Sequence, residues 1–155
     1  MPRDYGKEII KHIKKNNCEV VHLQRLLFCM GRLDTSWMLS TNNTKLDFIP
    51  DRVRQNWQGG TLAIKKDAFF RIGGYDESFV GWGGEDNEFY DRCRTLNGWR
   101  YGYMPFIHLW HKAQTEKLST ERERNLKYLR ILLGRTPEER IASLKPNQNS
   151  SIKKG

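Results

Sequence analysis

The run Gly81-Trp82-Gly83-Gly84-Glu85-Asp86 constrains this chain more than any other feature of its sequence. A glycine pair lets the backbone turn sharply and lie close to a ligand. The tryptophan beside it offers a flat apolar face, which is the kind of surface on which a sugar ring stacks. The carboxylates can accept hydrogen bonds from sugar hydroxyls, and one of them can take a proton from an attacking hydroxyl. The run therefore indicates a sugar-binding loop that leads into a helix.

The pattern around this run predicts an α/β fold. Apolar spacing and capping signals predict helices over 4–16, 66–72, 85–96 and 120–133, with a further helix starting at Thr136. Short apolar runs predict strands over 18–23, 60–64, 99–103 and 106–110, the last two separated at Pro105. Between residues 31 and 58 the pattern fades, and we expect a long loop there. Residues 1–143 are expected to form one unit, and the polar residues 144–155 a disordered tail.

The two carboxylates of the run fall in the first turn of the predicted helix over 85–96. The positive end of the helix dipole favours their ionised form at that position. The same arrangement is also what an ordinary helix start shows, because acidic residues are common in first turns. The neighbouring tryptophan and glycine pairs favour the functional interpretation over the structural one.

The stretch from Trp57 to Arg92 resembles the GT-A glycosyltransferases, and in particular the C-terminal domain of the β-1,4-galactosyltransferases. Related patterns occur in chondroitin-polymerase-like enzymes and polypeptide N-acetylgalactosaminyltransferases. The matching residues are Gly59-Gly60, Phe69, Ile72-Gly73-Gly74-Tyr75-Asp76, Phe79, the run from Gly81 to Asp86, Glu88-Phe89 and Arg92. The resemblance implies the C-terminal, acceptor-side half of a GT-A-type nucleotide-diphospho-sugar transferase fold, with a mixed sheet and flanking helices, over residues 1–143.

The resemblance also implies a reaction and its residues. A sugar would move from a UDP-sugar donor to an acceptor hydroxyl, with inversion at the anomeric carbon, although the polypeptide-glycosylating relatives retain the configuration. Asp86 would be the catalytic base, Glu85 would help to bind the acceptor, and Trp82 would pack against bound sugar. The glycines expected to lie against substrate are Gly59, Gly60, Gly83 and Gly84, of which the first pair lies near the donor.

The segment His108-Leu109-Trp110-His111 resembles the family segment that supplies a histidine ligand to Mn²⁺ or another divalent cation. His111 is the first candidate and His108 the second. The alternative is a structural histidine that is hydrogen-bonded to the backbone. Mn²⁺ accepts imidazole nitrogen together with carboxylate oxygen, whereas a structural zinc site would need paired cysteines that this sequence lacks.

The family's Asp-x-Asp motif, which supplies the other metal ligands, does not occur in this sequence. We therefore expect either a missing N-terminal nucleotide-binding half or a homodimer. Two other interpretations stay open. One is a non-catalytic glycan-binding remnant that lacks the nucleotide-binding half. The other is a structural or basic interaction protein in which Trp82 and the glycines only form a core turn.

Charge and cysteine usage restrict the partners and the compartment. The net charge of +9 suits nucleotide diphosphates, anionic glycans or an anionic membrane surface. No nucleic-acid motif accompanies the charge, so we expect no nucleic-acid partner. The three cysteines form no CxxC pair, which predicts free thiols in a reducing compartment. No apolar run is long enough for a membrane span, and the expected location is cytoplasmic, with peripheral attachment to a membrane as the alternative.

Overall fold

The computed structural model describes residues 2–42, 48–99, 101–112 and 120–148. The helices are α1 (Tyr5–Lys15), α2 (Arg32–Thr41), α3 (Lys66–Arg71), α4 (Glu85–Arg92), α5 (Thr120–Leu133) and α6 (Pro137–Gln148), with a 3-10 turn over Cys93–Thr95 after α4. The strands are β1 (Val20–His22), β2 (Gln24–Cys29), β3 (Arg52–Gln55), β4 (Leu62–Ile64), β5 (Gly98–Trp99) and β6 (Met104–His108). The α/β class is confirmed.

The strands form two small mixed sheets, in the orders β4-β1-β5 and β3-β2-β6. In the first sheet β1 is antiparallel to β4 and parallel to β5. In the second sheet β2 is antiparallel to β3 and parallel to β6. Only Leu23 separates β1 from β2, so one stretch of chain forms the centre of both sheets. The mixed sheets with flanking helices are compatible with a glycosyltransferase domain.

Two apolar clusters hold these layers together. In the first, Tyr5 of α1 packs with Leu23 and Phe106 of the second sheet region. In the second, Ile72 and Phe89 pack α3 and α4 against the first sheet. The second cluster fixes the position of α4, which begins with the two carboxylates of the sequence run.

The local signals at α3 and α6 predicted the structure well. Gly73 and Gly74 have φ of 90° and 65°, and the helix α3 ends just before them. At the start of α6, the Glu139 carboxylate accepts the backbone N–H of Thr136 (2.8 Å), and the Thr136 hydroxyl accepts the N–H of Glu139 (3.2 Å). This is the reciprocal capping arrangement that the sequence indicated. Helix α6 continues to Gln148, into the range expected to be a disordered tail, while residues 149–155 lie outside the described part.

The prediction of a long loop over residues 31–58 was wrong. This range contains α2 and β3. Helix α2 buries only Thr35 and Met38, so its apolar stripe is too narrow to be recognised. Strand β3 lies at a sheet edge with mostly exposed side chains. It forms through backbone pairing with β2, which leaves no alternation of apolar residues to read.

The prediction that Pro105 separates two strands was also wrong. Pro105 lies within β6 and is opposite Leu26, where the register of β2 shifts. A proline lacks the N–H that a central strand must donate, but an edge strand beside an irregularity tolerates it. Strand β6 is such an edge strand. Of the predicted strand over 99–103, only Trp99 lies in a strand, at the end of β5. Residues 101–103 are not in a strand, and residue 100 is not among the described residues.

Candidate active site

The loop before α4 owes its shape to glycines. Gly81, Gly83 and Gly84 have φ of 82°, 107° and 98°. Side chains other than glycine rarely adopt this left-handed region. Gly84 directly precedes α4, so the turn delivers Glu85 and Asp86 at the first positions of the helix, as the sequence predicted.

Glu85 holds this turn together. Its Oε2 accepts the backbone N–H of Gly83 at 2.9 Å. The carboxylate therefore takes up one donor of the loop that it follows. Its predicted contact with an acceptor sugar stays a prediction, and its second oxygen gives it the capacity for one.

Asp86 lines a cavity of about 330 Å³ between α4 and the loop before β4. This volume is at the lower end of what small-molecule sites occupy. The residues that line the cavity are Gln58, Gly60, Thr61, Leu62, Tyr75, Asp86, Phe89 and Tyr90. Gly59 lies so close to the carboxylate that a Cβ added to it would be 2.8 Å from Oδ2 of Asp86. The structure thus brings Gly59, Gly60 and Asp86 together.

Burial raises the pKa of Asp86, and the neighbouring charge of Glu85 raises it further. Burial acts because a low-dielectric environment disfavours the charged form, and Glu85 acts by like-charge repulsion. A carboxylate with a raised pKa holds a captured proton better than an ordinary aspartate does. Asp86 is therefore suited to general-base chemistry at near-neutral pH.

Aromatic side chains form one wall of the cavity. The ring of Tyr75 stacks on Phe89, with centroids 4.4 Å apart. Burial raises the pKa of the Tyr75 hydroxyl, and the charge of Asp86 raises it further. Sequence reasoning gave Tyr75 no site role, although it belongs to the Ile72–Asp76 run that carried the resemblance. Tyr90 was missed too, and its only signal is its helical spacing one turn after Asp86.

The Gly59 loop is anchored from below by buried polar residues of β1 and β2. Gln24, which is 1% exposed, donates to the carbonyl of Trp57 at 3.4 Å. Its Oε1 accepts the hydroxyl of Thr61 at 3.1 Å. Burial lowers the pKa of His22, and a hydrogen bond to the Trp57 backbone opposes this shift. His22 and Gln24 were not anticipated, because a polar residue inside a strand has no signal that names its partner.

Two tryptophans near the site each lie under a guanidinium group. The Arg122 guanidinium lies 5.7 Å from the ring centroid of Trp82. The Arg54 guanidinium lies 4.0 Å from that of Trp57. The side chains of Trp82 and Trp57 are 37% and 44% exposed. The predicted packing of Trp82 against sugar is consistent with this exposure, and a cation over the ring adds a favourable electrostatic contact.

The two candidate metal ligands lie side by side at the end of β6. The ring centroids of His108 and His111 are 5.2 Å apart, and both side chains are exposed. His111 Nδ1 lies 3.2 Å from the carbonyl oxygen of Lys112. In the described part of the chain, no group of three or more His, Cys, Asp or Glu side chains could hold a metal ion. These residues provide two imidazoles without a carboxylate, which by themselves do not fit a Mn²⁺ site.

Comparison with known proteins identifies the region that holds the cavity. Residues 47–115 match the family model described as the N-terminal domain of galactosyltransferase. This segment is similar to the galactosyltransferase family over that range. The resemblance to the glycosyltransferases is thereby confirmed for the segment that carries every predicted site residue. The description names the N-terminal domain, whereas the resemblance named the C-terminal domain of the same enzymes.

Curated relatives of the chain support a transferase. The chain is 46% identical over 50 residues to chondroitin synthase of Escherichia coli, covering 32% of this chain and 7% of that protein. It is 29% identical over 84 residues to human beta-1,4-galactosyltransferase 7, covering 47% and 26% of the two chains. It is 40% identical over 53 residues to probable N-acetylgalactosaminyltransferase 9 of Caenorhabditis elegans, covering 34% and 9%. The chain thus spans 26% or less of the length of these curated relatives.

Three further findings concern solved structures, membrane-spanning helices and cysteines. No solved structure gives a significant match to the chain. In the ranges that the structure describes, no helix has both the length and the apolar character that crossing a membrane requires. The three cysteines are free thiols, as the sequence predicted.

Proposed function

We propose that this chain carries the acceptor and base part of a glycosyltransferase that moves a sugar from a UDP-sugar to an acceptor hydroxyl. The observation that carries the proposal is the position of Asp86. Its carboxylate lines the 330 Å³ cavity at the start of α4, against Gly59, and burial raises its pKa. The family of the segment supports sugar transfer as the chemistry.

Asp86 acts as the general base in this proposal. It accepts the proton of the acceptor hydroxyl while the oxygen attacks the anomeric carbon from the face opposite the leaving nucleotide. The attack inverts the anomeric configuration. Among the described residues no hydrogen bond occupies the Asp86 carboxylate, so its oxygens are available to a hydroxyl.

The remaining predicted residues bind substrate. Trp82 offers its partly exposed ring to the acceptor sugar, and the Glu85 oxygen that does not bond Gly83 accepts an acceptor hydroxyl. The glycines of the two loops let the backbone lie against substrate, with Gly59 and Gly60 on the donor side. Tyr75 and Phe89 form an aromatic wall of the cavity beside the reacting atoms.

We further propose that His108 and His111 supply two of the ligands of a divalent metal such as Mn²⁺. The metal would balance the charge of the nucleotide diphosphate. The other ligands must come from outside the described residues. We propose that a nucleotide-binding half, from the same polypeptide or from a second one, supplies them, and a homodimer is the other arrangement to test.

The incomplete metal site favours one alternative function. A domain that binds glycans without catalysing transfer would keep the Trp82 loop and the cavity but would not need UDP. This alternative predicts glycan binding that is independent of metal and of nucleotide. For either function the proposed location is cytoplasmic, with peripheral attachment to a membrane as the alternative.

Calorimetric titration of UDP into the purified chain, with and without Mn²⁺, tests the donor site. Binding that requires Mn²⁺ and disappears in His111→Ala supports the proposed transferase. Lys14→Ala is the control, because Lys14 is an exposed side chain of α1. A glycan array probed with the same protein tests the alternative. Glycan binding without UDP binding would show that this chain lacks a donor site of its own. The glycan-binding proposal would replace the transferase one if the chain joined to a nucleotide-binding half also bound no UDP.

A further inference from the structure

Helix α5 lies on the loop that contains Trp82. Asn125 of α5 is 1% exposed. Its Nδ2 donates to the carbonyl oxygens of Val80 at 3.0 Å and of Trp82 at 3.4 Å. One buried amide thereby bridges the two ends of the turn before Gly83.

The glycines of the turn explain how α5 comes so close. A Cβ added to Gly81 would lie 2.6 Å from Oε2 of Glu121. A Cβ added to Gly84 would lie 3.5 Å from the backbone oxygen of Asn125. The glycine-rich run therefore lies in contact with α5, in addition to having a left-handed backbone.

The contact between Asn125 and the two loop carbonyls depends on the carboxamide group of the side chain. Buried carbonyl groups that lose their donors cost about 1–3 kcal/mol each. An asparagine side chain has two N–H donors and can serve two carbonyls at once. An aspartate of the same shape has none when ionised. Arg124 gives the Val80 carbonyl a second donor at 3.3 Å.

We propose that Asn125 is a positioning residue of the sugar site. It does not touch Asp86. It acts through the loop, because Trp82 and Gly83 precede Glu85, and the Gly83 N–H is bonded to the Glu85 carboxylate. Asn125 lies outside the 47–115 segment that matches the family, so the site depends on a helix that the family match does not include. The link to acceptor binding rests on the proposed function.

Hydrogen–deuterium exchange on the full chain tests the positioning directly. In Asn125→Asp, peptides covering 80–86 should exchange about tenfold faster than in the wild type, as the loss of one or two hydrogen bonds implies. Peptides from β2 should keep their protection. Leu132→Ala is the control, because Leu132 is also buried but lies two turns further along α5. Leu132→Ala should either speed up exchange throughout the chain or leave it unchanged. It should not speed up exchange in peptides covering 80–86 alone.

Steady-state kinetics provide the second measurement. They use the assembled enzyme, which is this chain together with the nucleotide-binding half that the proposed function requires. Asn125→Asp should raise the KM for the acceptor on the order of ten- to a hundred-fold, with little change in the KM for the UDP-sugar. Asn125→Ser, which keeps one donor, should give intermediate exchange and an intermediate acceptor KM, and it serves if Asn125→Asp does not fold.

The outcomes separate the two proposals. Exchange over 80–86 that is unchanged, or that rises only together with the rest of the chain, overturns the role of Asn125. Selective exchange with equal effects on both KM values leaves Asn125 a structural residue and overturns its role in acceptor binding. A wild-type enzyme that is inactive with every UDP-sugar overturns the proposed function, and the exchange data then decide alone whether Asn125 shapes the loop.

Discussion

Gly59 lies against the carboxylate of Asp86, so that a Cβ added to Gly59 would be 2.8 Å from Oδ2. The same Cβ would be 3.2 Å from Nε1 of Trp57. The two glycine-containing runs of the sequence therefore meet at one carboxylate. The backbone at Gly59 is not in the left-handed region, so close approach, and not backbone strain, is what requires a glycine there.

Gly59→Ala should reduce turnover while the fold stays intact. The new methyl group pushes the Asp86 carboxylate aside, and a displacement of about 1 Å can cost on the order of a hundredfold in rate. The measurement is steady-state turnover of the assembled enzyme together with the thermal midpoint. Gly6→Ala is the matched control, since a Cβ there meets nothing within 4 Å. It should leave turnover unchanged and stabilise by about 0.5 kcal/mol. Equal turnover in both variants would show that the Asp86 carboxylate need not occupy its present position.

Asp86→Asn should lower kcat by about 10²- to 10⁴-fold and raise thermal stability at neutral pH. Burial raises the pKa of Asp86 above its ordinary value of 3.8, so the folded protein holds this proton more tightly than the unfolded chain does. The free energy of unfolding therefore falls as pH rises from 3.8 to the raised pKa. Asparagine has no charge to desolvate and escapes this penalty.

Thermal midpoints of Asp86→Asn and wild type between pH 3 and pH 8 (roughly the window in which carboxylates titrate) check the sign. The difference should vanish at the acid end and favour the variant at the neutral end. Asp67→Asn is the control, because the Asp67 carboxylate is exposed and lies 3.9 Å from Arg71. It should keep full turnover. A variant that is less stable than the wild type at neutral pH would contradict the assigned pKa shift.

Local patterns predicted those parts of the fold that local interactions determine. The Gly73-Gly74 stop, the Thr136 cap and the turn into Glu85 each depend on residues a few positions apart, and all three occur in the structure. Strand β3 and helix α2 depend on pairing with β2 and on a narrow buried face. Such features leave little periodicity in the sequence.

The candidate site divides in the same way. Asp86 and its glycine neighbours could be named from the motif that contains them. Tyr90, Gln24 and Asn125 could not, because each acquires its role only when a distant segment packs against it. A polar residue on an otherwise apolar face suggests a buried partner, but the sequence does not say which backbone carbonyl it reaches.

Glu85→Gln should move the acid limb of the pH profile of kcat/KM to lower pH. The charge of Glu85 is the second cause of the raised pKa of Asp86, after burial. Glutamine removes that charge and keeps an oxygen for the Gly83 N–H, so the loop should hold its shape. Glu77→Gln is the control, because Glu77 is exposed and its charge does not contribute to the pKa of Asp86. An acid limb that stays in place or moves to higher pH would mean that Asp86 does not set it.

Arg140→Leu should lower the free energy of unfolding by about 1.5–3 kcal/mol. Arg140 of α6 is 1% exposed and donates to Glu88 of α4 at 2.8 Å and also to Asp91. Removing it takes one donor from Oε1 of the buried Glu88 carboxylate, which still accepts a hydrogen bond from Nε of Arg92 at 2.8 Å. The result should appear as a lower midpoint in urea denaturation with an unchanged m-value.

Arg94→Ala controls for the loss of a charge beside the same helix. Arg94 pairs with Asp91 at 3.1 Å, but its side chain is 74% exposed, and such a pair contributes at most about 1 kcal/mol. A large loss in Arg140→Leu with a small one in Arg94→Ala would establish that α6, which lies outside the family segment, is needed to hold the helix that presents Asp86. Equal small losses would mean that α4 keeps its place without α6, and that the buried ion pairs between the two helices add little to the stability of the site.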